Sequence, residues 1–358
     1  MNTSLHNFSA GPGILPQSVI EASAQDLINF SGTGLSVIEV SHRGKAFVAV
    51  MEEARARVRQ LLQLGDDYEV LFLQGGASLQ FCMVPYNLLP EQGMAAYLNT
   101  GVWATKAIQD ARLLGRVEVV GTSEDRNFCY IPREYAIPSD AAYLHITSNN
   151  TIFGTEMHAF PESPVPLVCD MSSDIFSRPV DASRFGLIYA GAQKNMGPAG
   201  TTLVVVKREL MGKSGRKLPA MLDYAVHSKG DSMHNTPPVF AVLVCMHTLR
   251  WIEEMGGLPA MEQRNRAKAE VLYSEIDRNP LFRGTADRPD RSLMNATFVL
   301  VDEQHKLTFD AMLADAGISG LEGHRSVGGY RASMYNALPQ SSVQVLVDVM
   351  QELERKNG

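Results

Sequence analysis

The 358-residue sequence predicts an α/β protein: a large domain built on a mainly parallel sheet with helices on both faces, followed by a smaller α+β domain. Three observations carry this. Short runs rich in Val, Ile and Leu recur between segments of helical periodicity, the pattern of strands buried on both faces and joined by helices. The composition is ordinary for a globular chain, 45% hydrophobic and 20% charged, and the length suits about two domains. The pattern changes at Gly256-Gly257, beyond which a charged helix and alternating apolar stretches replace the long runs.

The elements follow in order. Residues 1–14 carry no clear period and are expected to pack with the smaller domain. Phe47, Val50, Met51, Ala54, Val58, Leu61 and Leu62 fall at helical spacing, and Gly65 ends that helix. Apolar runs predict strands at 69–74, 94–99, 117–121, 141–147, 166–170, 187–192 and 202–208. A helix is expected from Ser78 and another over 239–254. After the glycine pair come a charged helix over 261–277, an alternating stretch over 296–304, a Gly-rich loop, and a closing helix over 341–354. The domains are thus 15–256 and 257–358. No internal repeat interrupts this order.

Charge and cysteines narrow the function. The formal net charge is −7, which suits a nucleic-acid backbone poorly. The first fifteen residues have neither a basic nor an apolar region, so no signal peptide is expected, and no run approaches a membrane span. Cys82, Cys129, Cys169 and Cys245 are widely spaced, without a CxxC or a metal-ligand spacing. A reduced cytoplasmic protein without a metal is the expectation. There is no P-loop, no GxSxG elbow, and Gly32-Thr33-Gly34 lacks the third glycine of the dinucleotide fingerprint.

The strongest chemical signal is LIYAGAQKNMGPAG. Lys194 follows an apolar run among small residues, where desolvation lowers an amine's pKa and makes it a nucleophile, as a Schiff-base lysine requires. A surface lysine in a turn is the plainer reading. Asp170 ends a run 24 residues earlier, about one strand–helix–strand unit, which places both at the carboxyl ends of neighbouring parallel strands. A carboxylate there can hold a pyridine nitrogen protonated; alone, it reads as a helix cap. Gly75-Gly76-Ala77-Ser78 links a strand to a helix, a setting in which backbone N–H groups bind phosphate. Trp103 is placed to stack on a planar cofactor and Thr151 to hydrogen-bond one, although core packing and turn closure are their commoner roles. His42-Arg43 and the cluster His324, Arg325 and Arg331 offer bidentate sites for an anionic small substrate.

These segments, together with FSAGPGILP, NTGVWATKA, CDMSSDIFSRP and HNTPPVF, resemble the phosphoserine aminotransferase family, in the class V group of fold-type I pyridoxal-phosphate (PLP) enzymes. The resemblance runs from residue 8 to residue 333. It implies that Lys194 carries the cofactor, Asp170 faces its ring nitrogen and Trp103 stacks on the ring. It implies that Gly76, Ala77, Ser78 and Gln193 hold the cofactor phosphate, with Thr151 on the ring hydroxyl. Asn235 and Thr236 would reach the phosphate of a neighbouring subunit in a homodimer with shared sites. Arg331 would clamp the α-carboxylate, and His42, Arg43, His324 and Arg325 the distal anion. The implied substrates are glutamate, phosphoserine and their keto acids, in serine biosynthesis, with the phosphorylated hydroxythreonine precursor of vitamin B6 as a further candidate. Ser78 stands where some members carry Arg. A class V aminotransferase for serine, alanine or glyoxylate is the alternative; it needs fewer distal cations. A desulfurase of this fold needs a mobile thiol late in the chain, and no cysteine follows Cys245.

Overall fold

The computed structural model describes residues 5–325 and 327–357. In chain order the elements begin with β1 (His6–Asn7), α1 (Gln17–Ile28), α2 (Lys45–Leu61), β2 (Tyr68–Leu73), α3 (Gly76–Leu88), β3 (Met94–Asn99), α4 (Val102–Arg112) and β4 (Arg116–Thr122). Then come β5 (Leu144–Thr147), β6 (Asn149–Asn150), β7 (Thr155–Glu156), β8 (Leu167–Asp170), β9 (Phe185–Gly191), β10 (Thr202–Lys207), α5 (Tyr224–Lys229) and α6 (Val239–Glu254). The chain closes with α7 (Gly257–Arg278), β11 (Phe282–Gly284), β12 (Asn295–Leu300), α8 (Lys306–Asp315), β13 (Ile318–Ser319), β14 (Tyr330–Ser333) and α9 (Gln340–Asn357).

All seven expected strands lie in one sheet, in the order β2-β10-β9-β8-β5-β3-β4. The pairs β9–β8, β8–β5, β5–β3 and β3–β4 are parallel. The exception is β10, antiparallel to both β9 and β2. The connection over 192–201 is too short for a parallel crossover, which takes a dozen residues or more, so the chain must turn straight back. Because β10 is the reversed strand, β2, β3, β5, β8 and β9 all end on one edge of the sheet. Ligands of open α/β sheets bind along such an edge.

Alternate side chains on each strand enter opposite cores. Val70, Phe72, Leu98, Ile146, Cys169 and Ile188 pack under α2 and α6. Leu71, Leu73, Tyr97, Val168 and Tyr189 face α3 and α4 on the other side. Edge strand β4 departs from the expected two-sided burial: its residues are exposed or half-buried and none is fully buried. The expected helix between β8 and β9 is also absent: residues 171–184 pass through turns and one short 3₁₀ segment, Ala182–Arg184.

The glycine pair does not separate two helices by a break of several residues. Gly256 and Gly257 take positive φ, 99° and 71°, and α7 starts at Gly257 rather than at Met261. Beyond it β11, β12 and β14 form an antiparallel sheet, whose core with α7, α8 and α9 includes Phe8. β1 pairs with β13 in parallel, so residues 6–8 pack with the carboxyl-terminal part. The expectation for residues 1–4 lies outside the described residues. No helix among the described residues is long and apolar enough to cross a membrane.

Candidate active site

Each strand ending on the shared edge delivers one element of the site. After β2, Gly75 and Gly76 adopt positive φ, 88° and 65°, which lets the chain turn directly into α3. Leu79 N–H already bonds to Gly75 O, so the N–H groups of Gly76, Ala77 and Ser78 have no partner within the helix. A Cβ on Gly76 would meet no atom within 4 Å. The turn is therefore an open cradle of N–H groups at the positive end of a helix dipole, the chemistry a phosphate monoester requires.

After β3, Gly101 has φ 154°, and the Asn150 side chain lies where its Cβ would be and donates to Thr100 O. This close approach sets Trp103 in the first turn of α4, half-buried, with its indole N–H buried and unpartnered among the described residues. After β5, the turn beyond β6 carries Thr151. Its hydroxyl accepts from Lys194 Nζ at 2.9 Å and its carbonyl from Arg331 Nη1 at 3.3 Å. Thr151 thus bridges the amine and the guanidinium.

Asp170 ends β8 and Lys194 lies in the turn after β9, as parallel neighbours require. Both are buried. The Ser172 N–H bonds to Asp170 Oδ1 at 2.9 Å. Burial raises the pKa of Asp170, while that hydrogen bond and the Lys194 charge oppose the shift. Burial lowers Lys194 to about 8; Asp170 pulls the other way, and Arg331 adds to the lowering. At pH 7 about a tenth of the amine is therefore uncharged, and about half near pH 8, far more than an ordinary lysine shows. Lys194 Nζ stands 5.9 Å from the centroid of the Trp103 ring.

Arg331 comes from β14, opposite Thr297 of β12. Burial lowers its pKa, and its Nε is a buried donor without a partner among the described residues. A cleft of about 860 Å³ opens beside it, bounded in part by Ser9, Gly11, Gly323, His324 and Arg325. Gly11 reaches the lysine: a Cβ there would lie 3.8 Å from Lys194 Cγ. His324 is pushed down by burial first, then by the charges of Arg331, Arg325 and Lys106. Three basic side chains, His324, Arg325 and Arg331, therefore line one cleft.

The structure gathers Lys194, Asp170, Trp103, Thr151 and Arg331, with His324 and Arg325 at the cleft. Gln193 is half-buried, and its carbonyl accepts from Gly13 N–H at 2.7 Å. Asn235 Nδ2 donates to Gln74 Oε1 at 3.3 Å, and Gln74 in turn donates to Thr236 O, which places this pair beside the glycine turn. His42 and Arg43 stand apart, in the loop before α2. Among the described residues no hydrogen bond or ion pair joins them to Lys194, Asp170, Arg331 or Thr151, and His42 Nε2 is a buried orphan. The sequence reading missed Lys106, whose Nζ lies 4.9 Å from the Trp103 ring centroid. An exposed helix lysine carries no mark of its own; only its place one turn after Trp103 signals it.

The residues fit PLP: an N–H cradle for its phosphate, a buried amine of lowered pKa, a buried carboxylate and an indole ring. Comparisons with known proteins agree. The family model for aminotransferase class-V matches residues 5–346. The chain is 63% identical to phosphoserine aminotransferase of Flavobacterium psychrophilum, over 98% of this chain and 99% of that one. Phosphoserine aminotransferase of Bacteroides fragilis is 55% identical, with the same coverage. The solved phosphoserine aminotransferase of Bacillus circulans subsp. alkalophilus superimposes with a TM-score of 0.96 at 46% identity, covering 99% of each chain. The PLP-bound phosphoserine aminotransferase of Trichomonas vaginalis gives 0.91 at 38% identity, covering 97% of this chain and 100% of that one. The fold is that of a fold-type I PLP transferase. The chain belongs to the class V aminotransferases, and within them to the phosphoserine aminotransferase family.

Proposed function

We propose that this chain, as a homodimer, binds PLP and transfers an amino group reversibly from L-glutamate to 3-phosphohydroxypyruvate, giving O-phospho-L-serine and 2-oxoglutarate. The observation that carries the reading is the Thr151 bridge: one residue sets a buried amine of lowered pKa and a carboxylate-binding guanidinium on a single small site. When bound, PLP supplies an aldehyde that takes up the amino group and a ring that draws electrons from the substrate carbon. The Asp170 carboxylate would balance the charge on the ring nitrogen, Trp103 would stack on the ring, and Thr151 would bond its hydroxyl. The N–H groups of Gly76, Ala77 and Ser78, with Gln193, would hold the phosphate, joined by Asn235 and Thr236 of a second copy.

The chain's own residues then do three things. Arg331 binds the α-carboxylate that both amino acids share. Lys194 Nζ takes the proton from Cα of the amino donor and returns one to Cα of the keto acid, a task for a base whose pKa lies near the working pH. His324 and Arg325, with His42 and Arg43 of the second copy, bind the distal group. A phosphate and a γ-carboxylate can use the same guanidinium donors.

The second copy is supported by one surface. Ile20, Leu27, Ile28, Leu35 and Ile38 are exposed, Ile28 at 74% and Ile38 at 62%. Exposed apolar side chains gathered on one stretch of chain mark an interaction face, and His42-Arg43 follows Ile38 by four residues. Residues 15–256 are read as the larger domain and 257–358, with 1–14, as the smaller. A cytoplasmic setting fits four cysteines without a disulfide.

The test is the visible spectrum of the PLP-loaded protein, titrated separately with L-phosphoserine and L-serine. Two or more charge-assisted hydrogen bonds to the phosphate predict half-response at an L-phosphoserine concentration lower by about 100-fold. An equal response to both would move the function to an aminotransferase for serine, alanine or glyoxylate.

A further inference from the structure

Lys194 and Arg331 come from different parts of the chain, and their separation decides whether a substrate carboxylate and the reacting carbon can be held together. A line of buried side-chain amides ties the two parts. Asn195, next to Lys194, is 3% exposed; Asn336, five residues beyond Arg331, is 1% exposed. Asn336 N–H donates to Asn195 Oδ1 at 2.9 Å, and Asn195 Nδ2 donates to Ser173 O at 3.1 Å. The Asn336 side chain continues the line, donating to Phe176 O at 3.0 Å and accepting from Asn265 Nδ2 at 2.8 Å. A second line runs beside it. Asn149 Nδ2 donates to Ser173 Oγ and to Asn295 Oδ1, both at 2.8 Å, and Asn295 Nδ2 donates to Ser333 Oγ at 2.9 Å. Both lines meet at Ser173, three residues after Asp170; one reaches Ser333, the last residue of β14, and the other Asn336, three residues beyond it.

We infer that Asn195 is a positioning residue, which through Asn336 fixes the β14 segment, and with it Arg331, relative to Lys194. The inference rests on the proposed roles of those two residues. Apolar surfaces can shift against each other at small cost. A fully buried amide pair is directional, and breaking it leaves a donor and an acceptor unpaired in a dry interior. Asn195 is the member nearest the chemistry: its backbone continues from Lys194, and its carboxamide receives the strand that carries the carboxylate ligand. Loss of this tether acts at a distance, because an error of about 1 Å in the reacting geometry can cost about 100-fold in rate.

The test uses the PLP-loaded enzyme with Asn195→Ala, Asn336→Ala, Arg331→Ala and the double variant Asn195→Ala/Arg331→Ala. Asn195→Ala is expected to raise KM for glutamate and for the keto acid together, by about tenfold, and to leave the visible spectrum and PLP retention unchanged. In the Arg331→Ala background the same change is expected to add little further, because the group it positions is gone. Both roles would lower Tm, since Asn336 N–H and Ser173 O lose their partner; a merely structural role would in addition multiply the Arg331→Ala loss independently. Should Asn195→Ala fail to fold, Asn336→Ala keeps its backbone N–H on Asn195 but loses the side-chain bonds to Phe176 O and from Asn265 that hold the same segment, and is expected to raise both KM values by less than about tenfold. Unchanged KM values or independent losses overturn the inference while the assignment of Arg331 stands. Normal KM values in Arg331→Ala alone overturn that assignment and the inference with it.

Discussion

Lys194 shows how a single residue's environment serves chemistry at a cost to stability. Burial lowers its pKa from 10.5 to about 8. Between those two values the unfolded chain holds a proton that the folded chain has released, so stability of the PLP-free protein rises with pH through this window. Below about pH 8 both states are protonated and the penalty is fully present. Lys268 adds a second case. It is 2% exposed, donates to the carbonyls of Met334 and Tyr335, and is lowered by burial to about 7. Lys194→Met is therefore expected to stabilise the PLP-free protein near pH 7, by about 3 kcal/mol before the lost bond to Thr151 is counted, with the gain shrinking as pH approaches 10. Urea midpoints of the two proteins at pH 7 and pH 10 measure it; a gain that does not shrink would mean Lys194 is not the buried amine described here. The same variant, without its base, should lose about 100- to 10,000-fold in transamination rate.

The turn from β2 into α3 makes its own prediction. Gly76 has φ 65°, and a Cβ there would point into open space. Gly76→Ala thus has two separable effects: about 1–2 kcal/mol of left-handed strain in the fold, and a methyl group in the cradle proposed for the phosphate. The expected outcome is a folded protein, lower in Tm by a few degrees, that binds PLP about tenfold more weakly. Equilibrium dialysis against PLP checks it, and unaltered affinity would remove the cradle from the site. This turn was legible in the sequence because glycines between an apolar run and a helical period have few other uses. So were the seven strands, since burial on both faces leaves uninterrupted Val, Ile and Leu. The direction of β10 was not, because composition does not record direction; the short connection over 192–201 decides it. Residues 171–184 were misread as helical from spacing alone, although MSSDIFSRPVDASR has no helical period. The amide line through Asn195 and Asn336 was illegible for a different reason. Its partners lie far apart in the chain, and no local pattern announces a hydrogen bond between them.

At the scale of the whole molecule, His42 and Arg43 pose the question of completeness. They sit before α2 and make no hydrogen bond or ion pair to Lys194 or Arg331 among the described residues, yet they closely follow in the chain the exposed face of Ile20, Leu27, Ile28, Leu35 and Ile38. If that face meets its own copy about a twofold axis, each subunit offers its His42-Arg43 loop to the other's cleft. Complementation separates this arrangement from one in which the pair serves its own chain. Lys194→Ala and Arg43→Ala are each expected to be inactive or nearly so as homodimers. In a mixed dimer one site carries both defects, and the other takes an intact Lys194 from one subunit and an intact Arg43 from the other. With random exchange half of the dimers are mixed and half of their sites are sound, so a 1:1 mixture should recover about a quarter of the native activity. Tagging the two variants differently verifies that mixed dimers form. Their presence without recovered activity would place Arg43 in its own chain's site, and an active Arg43→Ala homodimer would place it outside the site altogether. Ile28→Glu tests the face itself: it is expected to yield monomers that keep the fold, because Ile28 is exposed in the single chain, and to lose phosphoserine turnover, because the loop that completes the cleft has gone with the partner.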